Sequence, residues 1–311
     1  MSILVSGSLV HDYIMDFNGK FKDHIMPDKI HILNVCFMVD QLNRSWGGTA
    51  GNIAYSLALL GSDPIIVSAV GKDGNDYLTH FRENKIKTDY IKVDDSQMTA
   101  SAHITTDQDD NQITAFFGGP LNLADDITGS GIELALISPT DKKIMQNHLR
   151  QCADLGIKVI FDPGQQIFGF NGEEMKEMIS GSYFLIGNDY EMNLIRERTL
   201  WDNSEILKHV EIMITTLGDR GSLIETRDGR KIEVPPAKPL STIDPTGAGD
   251  AYRAGFFRGF ELGYELEKCG KMGAVMACYA IETRGTQDFK FSHEDFIKRY
   301  RENFGEKVDL K

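Results

Sequence analysis

The 311-residue chain is poor in cysteine, in positive charge and in long apolar runs, and each shortage excludes something. Its four cysteines, Cys36, Cys152, Cys269 and Cys278, stand far apart and form no C-x-x-C pair. That spacing argues against a zinc site and a secreted disulfide framework, and it fits a reducing compartment. No apolar run reaches the ~18–20 residues that a bilayer crossing requires. The apolar stretch 3–5 has no basic segment before it and no signal-peptide core, so a cytoplasmic location is expected. Lys and Arg number 33 against 46 Asp and Glu, a net charge of −13. This field opposes nucleic acid and anionic membranes as partners. Any phosphate bound here must be held by local backbone N–H groups, a few basic side chains or a metal. No G-x-x-x-x-G-K-[ST] segment occurs, nor an H-R-D with D-F-G set, which sets aside the P-loop and protein-kinase nucleotide sites.

What is present is alternation. Short apolar runs at 3–6, 65–70, 134–138, 158–162, 183–187 and 211–216 read as strands. Helical patterns at 50–60, 141–155 and 173–180 lie between them, and further helices are expected at 247–262, 266–283 and 293–303. The alternation predicts a layered α/β sheet with helices on both faces. Two segments break it. Val35, Phe37 and Val39 repeat with period two within a stretch, 12–45, of little helical character. Residues 101–105 and 112–116 read as a hairpin around the polar turn Asp107–Asn111. Together they suggest a small sheet beside the main body, either a lid that excludes water or an edge extension serving dimerisation.

The segment Asp244-Pro245-Thr246-Gly247-Ala248-Gly249-Asp250 leads from an expected strand into a helix, with Thr246 as the expected N-cap. Its glycines let backbone approach a ligand, and free N–H groups at a helix start attract anions. Asp250, in the first turn, places a carboxylate beside that anion hole. The pairing suits phosphoryl transfer: backbone holds phosphate charge while Asp250 accepts a proton from the attacking hydroxyl. Taken alone, a G-x-G-D is more often a tight turn followed by a first-turn acid.

The same segment resembles the C-terminal signature of the ribokinase-like (PfkB) family of carbohydrate and nucleoside kinases. Gly47-Gly48-Thr49-Ala50-Gly51-Asn52 resembles that family's N-terminal signature, in the expected order and about 200 residues upstream. The resemblance covers essentially the whole chain. It implies a three-layer α/β/α fold with a mostly parallel central sheet and a small β-sheet lid. The lid would be 12–45 and 97–117, and the large domain 1–11, 46–96 and 118–311. It also implies that Asp250 is the catalytic base and that Gly247, Ala248 and Gly249 form the anion hole. Asp12 and Asn52 would bind substrate hydroxyls, with Gly47 and Gly48 as the joint between lid and body. Asn188 and Glu191 resemble the family's N-x-x-E motif, which would order the water shell of Mg²⁺; a helix cap is the alternative. Thr216, Gly218 and Gly221 resemble the turn that lies against ATP. Asp244 would help to bind a monovalent cation such as K⁺.

Several stretches, among them 21–27, 30–35, 51–55 and 250–255, resemble the bacterial adenosine and nucleoside kinase branch more than the sugar kinases. The expected reaction is therefore ATP-dependent phosphorylation of a nucleoside 5′-hydroxyl, adenosine first, by a monomer or homodimer. A ribokinase- or fructokinase-like sugar kinase and a non-catalytic nucleoside-binding protein are the alternatives. Phe37, Met38 and Phe116 could stack on a base or simply pack the lid. Phe117-Gly118-Gly119-Pro120 departs from the His-Pro-Gly-like stretch expected there, which leaves substrate contacts near the lid hinge open.

Overall fold

A computed structural model describes residues 2–109, 111–128 and 131–311. Along the chain run Ser2–Ser6 (β1), Val10–Asp16 (β2), Phe21–His24 (α1), Gln41–Gly47 (β3), Thr49–Leu59 (α2), Ile65–Gly71 (β4), Asn75–Glu83 (α3) and Ile91–Asp94 (β5). Next come Ser101–Thr106 (β6), Gln112–Phe117 (β7), Ile132–Ile137 (β8), Lys142–Leu155 (α4), Lys158–Phe161 (β9), Gly172–Ser180 (α5) and Phe184–Asn188 (β10). Asp189–Thr199 (α6), Asn203–His209 (α7), Ile212–Thr216 (β11), Ser222–Thr226 (β12), Lys231–Val234 (β13), Ala248–Glu261 (α8), Leu266–Ile281 (α9) and His293–Phe304 (α10) complete it.

Nine strands form the main sheet in the order β13-β12-β11-β10-β9-β8-β1-β4-β5. All pairs are parallel except β11–β12 and β12–β13. Alternation along β1 shows why the sheet is covered twice. Leu4 packs with Met145, Leu149 and Met175 on one face, while Ile3 and Val5 pack with Ile53, Phe256 and Phe257 on the other. This is the expected α/β/α sandwich. From β1 the chain proceeds outward to β4 and β5, then returns to β8 on the opposite side. In open parallel sheets such a reversal leaves a crevice at the carboxyl ends of the strands.

A second sheet, in the order β3-β2-β6-β7, stands over those ends. β6 and β7 pair from Ser101↔Phe117 to Thr106↔Gln112, so the expected hairpin forms; Asp110 of its turn lies outside the described residues. The period-two segment at 35–39 is not a strand. Phe37 instead packs against Phe17 and Phe21, with ring centroids 4.9 Å from each. The strand comes later, at β3, and pairs with β2 from Val10↔Gly47 to Asp16↔Gln41. The segment 235–246 is likewise not a strand, so the Asp244 loop enters α8 from irregular chain. Among the described residues no helix is long and apolar enough to cross a membrane.

Candidate active site

The carboxyl ends of β1, β8, β9, β10 and β11 supply Ser8, Thr140, Asp162, Asn188 and Thr216 to one wall of a cleft of about 880 Å³. The small sheet supplies Asp12, Ile14, Ile104 and Phe116 to the other, and the start of α8 forms the floor. The volume suits a small-molecule site.

Glycine shapes both ends of this cleft. Gly247, rather than Thr246, is the N-cap of α8, and it takes φ +78°. A side chain here would be strained and would meet Thr286 Cγ2 at 2.8 Å. Asp244 Oδ1 accepts the Thr246 N–H (2.9 Å) and its Oδ2 the Gly285 N–H (3.4 Å), which fixes the approach to the helix. The Ala248 N–H bends back to the Pro245 carbonyl (3.3 Å). The donors left without a partner among the described residues are therefore those of Gly247, Gly249 and Asp250. Of the three residues expected to offer an anion hole, Gly247 and Gly249 thus keep free N–H groups and Ala248 does not. At the other end, a Cβ on Gly47 would fall 2.0 Å from Asp12 Oδ2, so any side chain there would displace that carboxylate.

Asp250 is tied to the neighbouring helix α2, since Asn52 Nδ2 donates to its Oδ2 at 2.8 Å. Burial pushes the Asp250 carboxyl up to about 6, against the pull of Arg253 and the Asn52 hydrogen bond. Burial, and then the charge of Asp250, push Asp12 up to about 7. Asp250 and Asp12 thus share the cleft with titrations lifted towards neutrality, a pattern typical of acid–base sites. Asn52, expected to meet substrate hydroxyls, is engaged within the protein. Its Oδ1 already receives Gln287 Nε2 (3.0 Å) and faces Thr286 Oγ1 (2.7 Å), so both ends of the amide have protein partners.

Sequence reasoning gave no role to Arg253 or Asp162. Arg253 is buried one turn after Asp250, donates from Nη2 to Asp162 Oδ1 (2.8 Å), and holds Nε 2.5 Å from Oδ2. Burial disfavours its cation, but the carboxylates of Asp162, Glu191 and Asp250 outweigh that cost. The signal available was an arginine on the buried face of an apolar helix, three residues from the candidate base.

The Asn188–Glu191 pair forms a capping box. Asn188 Oδ1 accepts the Glu191 N–H and Glu191 Oε2 accepts the Asn188 N–H, both at 2.8 Å. Glu191 still lines the cleft, 3.9 Å from Arg253 Nη2, and burial followed by the charge of Asp162 raises its pKa. Thr216 reaches the cleft, whereas Gly218 and Gly221 do not line it and belong to the β11–β12 turn. Gly221 is needed there because a Cβ would strike the Val234 carbonyl at 2.1 Å. Phe116 lines the cleft; Met38 is exposed and does not.

The family model for pfkB carbohydrate kinases matches residues 16–292. The chain belongs to the pfkB family. This pfkB kinase is 32% identical over 258 residues to a nucleoside kinase of Methanocaldococcus jannaschii, across 82% of this chain and 85% of the relative. A nucleoside kinase of Methanothermobacter thermautotrophicus is 28% identical over 97% of this chain and 96% of its own. Burkholderia thailandensis nucleoside kinase in complex with inosine matches the pfkB kinase with a TM-score of 0.89 at 34% identity, over 98% and 99% of the two chains. The complex of that enzyme with ADP-inosine gives 0.87 at 35% identity, over 99% of this chain and 97% of the other. Family membership makes this chain a phosphotransferase that acts on a hydroxyl group.

Proposed function

We propose that the chain transfers the γ-phosphoryl group of ATP to the 5′-hydroxyl of a nucleoside, adenosine foremost. One observation carries the reading: the Asp250 carboxylate, lifted towards neutrality and oriented by Asn52, stands beside the unpartnered N–H groups of Gly247, Gly249 and Asp250. With Oδ2 held by Asn52, Oδ1 is left to accept the proton of the attacking hydroxyl. The helix start then receives the charge that develops on the transferring phosphate. Asp12, across the cleft, can accept from two adjacent ribose hydroxyls.

Donor and acceptor would lie on opposite sides of Asp250, with ATP towards Thr216 and the nucleoside beneath the small sheet. Segments 12–45 and 97–117 would act as the lid over the rest of the chain. Mg²⁺ would neutralise the phosphates, and it usually keeps several waters. Glu191 and Asp162 are carboxylates on that side of the cleft and suit such a water-mediated site. Each Asp244 oxygen keeps a lone pair beyond its backbone N–H, so the loop is compatible with a K⁺ ligand there. The nucleoside assignment draws its support from the named nucleoside kinases.

The test is ATP consumption with Mg²⁺, with and without K⁺, against adenosine, inosine, guanosine, cytidine, ribose and fructose. Turnover should be strong with adenosine and weak with free sugars. Turnover with a free sugar alone would overturn the nucleoside reading while leaving the machinery in place.

A further inference from the structure

Behind Asn52, away from the cleft, buried amide and ring groups continue the hydrogen-bonded chain that ends at Asp250. Gln287 Nε2 donates to Asn52 Oδ1 (3.0 Å) and to Tyr77 Oη (2.7 Å). Tyr77 Oη passes its own proton to the Gly47 carbonyl (2.5 Å) and therefore must accept from Gln287. Gln287 Oε1 faces His80 Nε2 at 3.1 Å, and Asn84 Nδ2 lies 3.5 Å from His80 Nδ1. The His80 ring is stacked on Trp46 (4.9 Å, 17°) and Tyr55 (5.8 Å, 15°), which fixes its plane. Gln287 itself is 1% exposed.

The two ends of an asparagine amide have nearly the same shape, so packing cannot choose which one faces Asp250; only partner polarity can. Asn52 Oδ1 has two neighbours. Thr286 is indifferent, because its hydroxyl lies between Asn52 Oδ1 and the Trp46 carbonyl (2.8 Å) and can turn its proton to either. Gln287 Nε2 can only donate. We propose that Gln287, aligned by Tyr77 and His80, is a positioning residue that fixes the Asn52 amide so that the base meets an N–H and never a C=O. The inference rests on the reading of Asp250 as the base. It extends the site from the cleft to α3, about two layers of side chains behind it. It also links the base to the Gly47 carbonyl, where β3 of the small sheet meets the body.

The polarity can be inverted with little change of shape. Gln287→Glu offers an acceptor where a donor stood, which turns Asn52 Nδ2 away from Asp250. Gln287→Leu removes the donor without supplying an acceptor. Kinetics are measured on the alcohol that turns over best, with melting temperature and substrate KM recorded for each variant. The expectation is that Gln287→Glu lowers kcat by roughly 10- to 100-fold with KM nearly unchanged, and that Gln287→Leu loses less. In Gln287→Leu the acid limb of the rate should move to higher pH, because the Asn52 amide, no longer fixed from behind, steadies the Asp250 anion less. The other groups facing this chain are Asp12, Asp162, Glu191 and Arg253 around Asp250, and Glu83, Asp288 and Lys290 around His80; all are kept. A merely structural Gln287 would make leucine, which forfeits every hydrogen bond, the worse variant and leave the acid limb in place. That outcome overturns the proposal, provided Asp250→Asn is inactive. If Asp250→Asn turns over normally, the base assignment fails instead. If Gln287→Glu does not fold, the acid limb of Gln287→Leu decides alone.

Discussion

Of the helices that start at the cleft, α6 and α8 treat their first turns in opposite ways. α6 closes on itself through the Asn188–Glu191 capping box, and Arg220 Nη2 pairs with Asp189 Oδ2 (2.8 Å) beside it. α8 has a glycine N-cap with no side-chain cap, and three of its N–H groups meet no protein partner among the described residues. α2, which also begins with glycine at the cleft, falls between them, since Ser8 takes the N–H groups of Thr49 and Gly51. A helix N-terminus attracts anions only to the extent that its donors are unoccupied. By that criterion α8, and not α6, has the free donors that the proposed phosphate site needs, and α6 would contribute through the carboxylate of Glu191 rather than through its dipole.

The largest effect should come from the carboxylate at the open start. Asp250→Asn keeps the shape and removes the proposed base, and kcat should fall by roughly 10²–10⁴ with a much smaller change in KM. Steady-state kinetics against the preferred alcohol read this directly, and unchanged turnover would remove Asp250 from the mechanism. Next comes Gly247→Ala, which adds a Cβ at φ +78° against Thr286. The left-handed strain alone is about 1–2 kcal/mol. Relief requires the loop to move, which misplaces the three donors. The expected result is a tenfold or greater loss in kcat/KM for ATP, with a smaller loss in melting temperature. A variant that binds and turns over ATP normally would show that these donors are not the anion site.

Asn188→Ala probes the closed start and should behave in the opposite sense. Losing an N-cap costs about 0.5–2 kcal/mol of stability. Thermal unfolding should report that loss, with turnover affected less than in Gly247→Ala. If Asn188→Ala instead abolishes turnover while leaving stability unchanged, the capping reading of this pair is wrong and Asn188 acts on the nucleotide.

The contrast between the two starts was only partly legible in the sequence. The Asp244–Asp250 loop could be read because its chemistry is consecutive in the chain, and the inner strands because parallel strands covered on both faces are continuous apolar runs. β3 could not. Its sequence, Gln41-Leu42-Asn43-Arg44-Ser45-Trp46-Gly47, is mostly exposed and polar, and only its pairing with β2 makes it a strand. Val35, Phe37 and Val39 gave a period-two signal, but Phe37 serves an aromatic cluster with Phe17 and Phe21. Arg253 was invisible as a site residue because its partner, Asp162, lies 91 positions away at the end of β9. Asn188–Glu191 was legible as a pair, yet spacing three serves a capping box and a ligand set equally well; atomic contacts were needed to show the box.

The smallest effect concerns the charge that an enclosed cleft gathers. Asp12 faces Asp250, and its carboxyl is lifted to about 7 in the folded protein from an ordinary value of 3.8. A group whose folded pKa is raised adds stability that is fully present below the unfolded value and is lost as pH rises through the folded one. The protein should therefore lose stability on this account between about pH 4 and pH 7, as the Asp12 proton leaves an environment that favours the neutral form. Asp12→Asn removes the penalty. Its melting temperature should exceed that of the wild type by a few degrees at pH 8, and the gap should close as the pH falls towards 4. The same substitution should raise KM for the sugar-bearing substrate, since a neutral amide cannot accept from two hydroxyls with both ends. Equal melting curves across that range would mean that Asp12 is solvated in the open cleft and that its repulsion with Asp250 is screened.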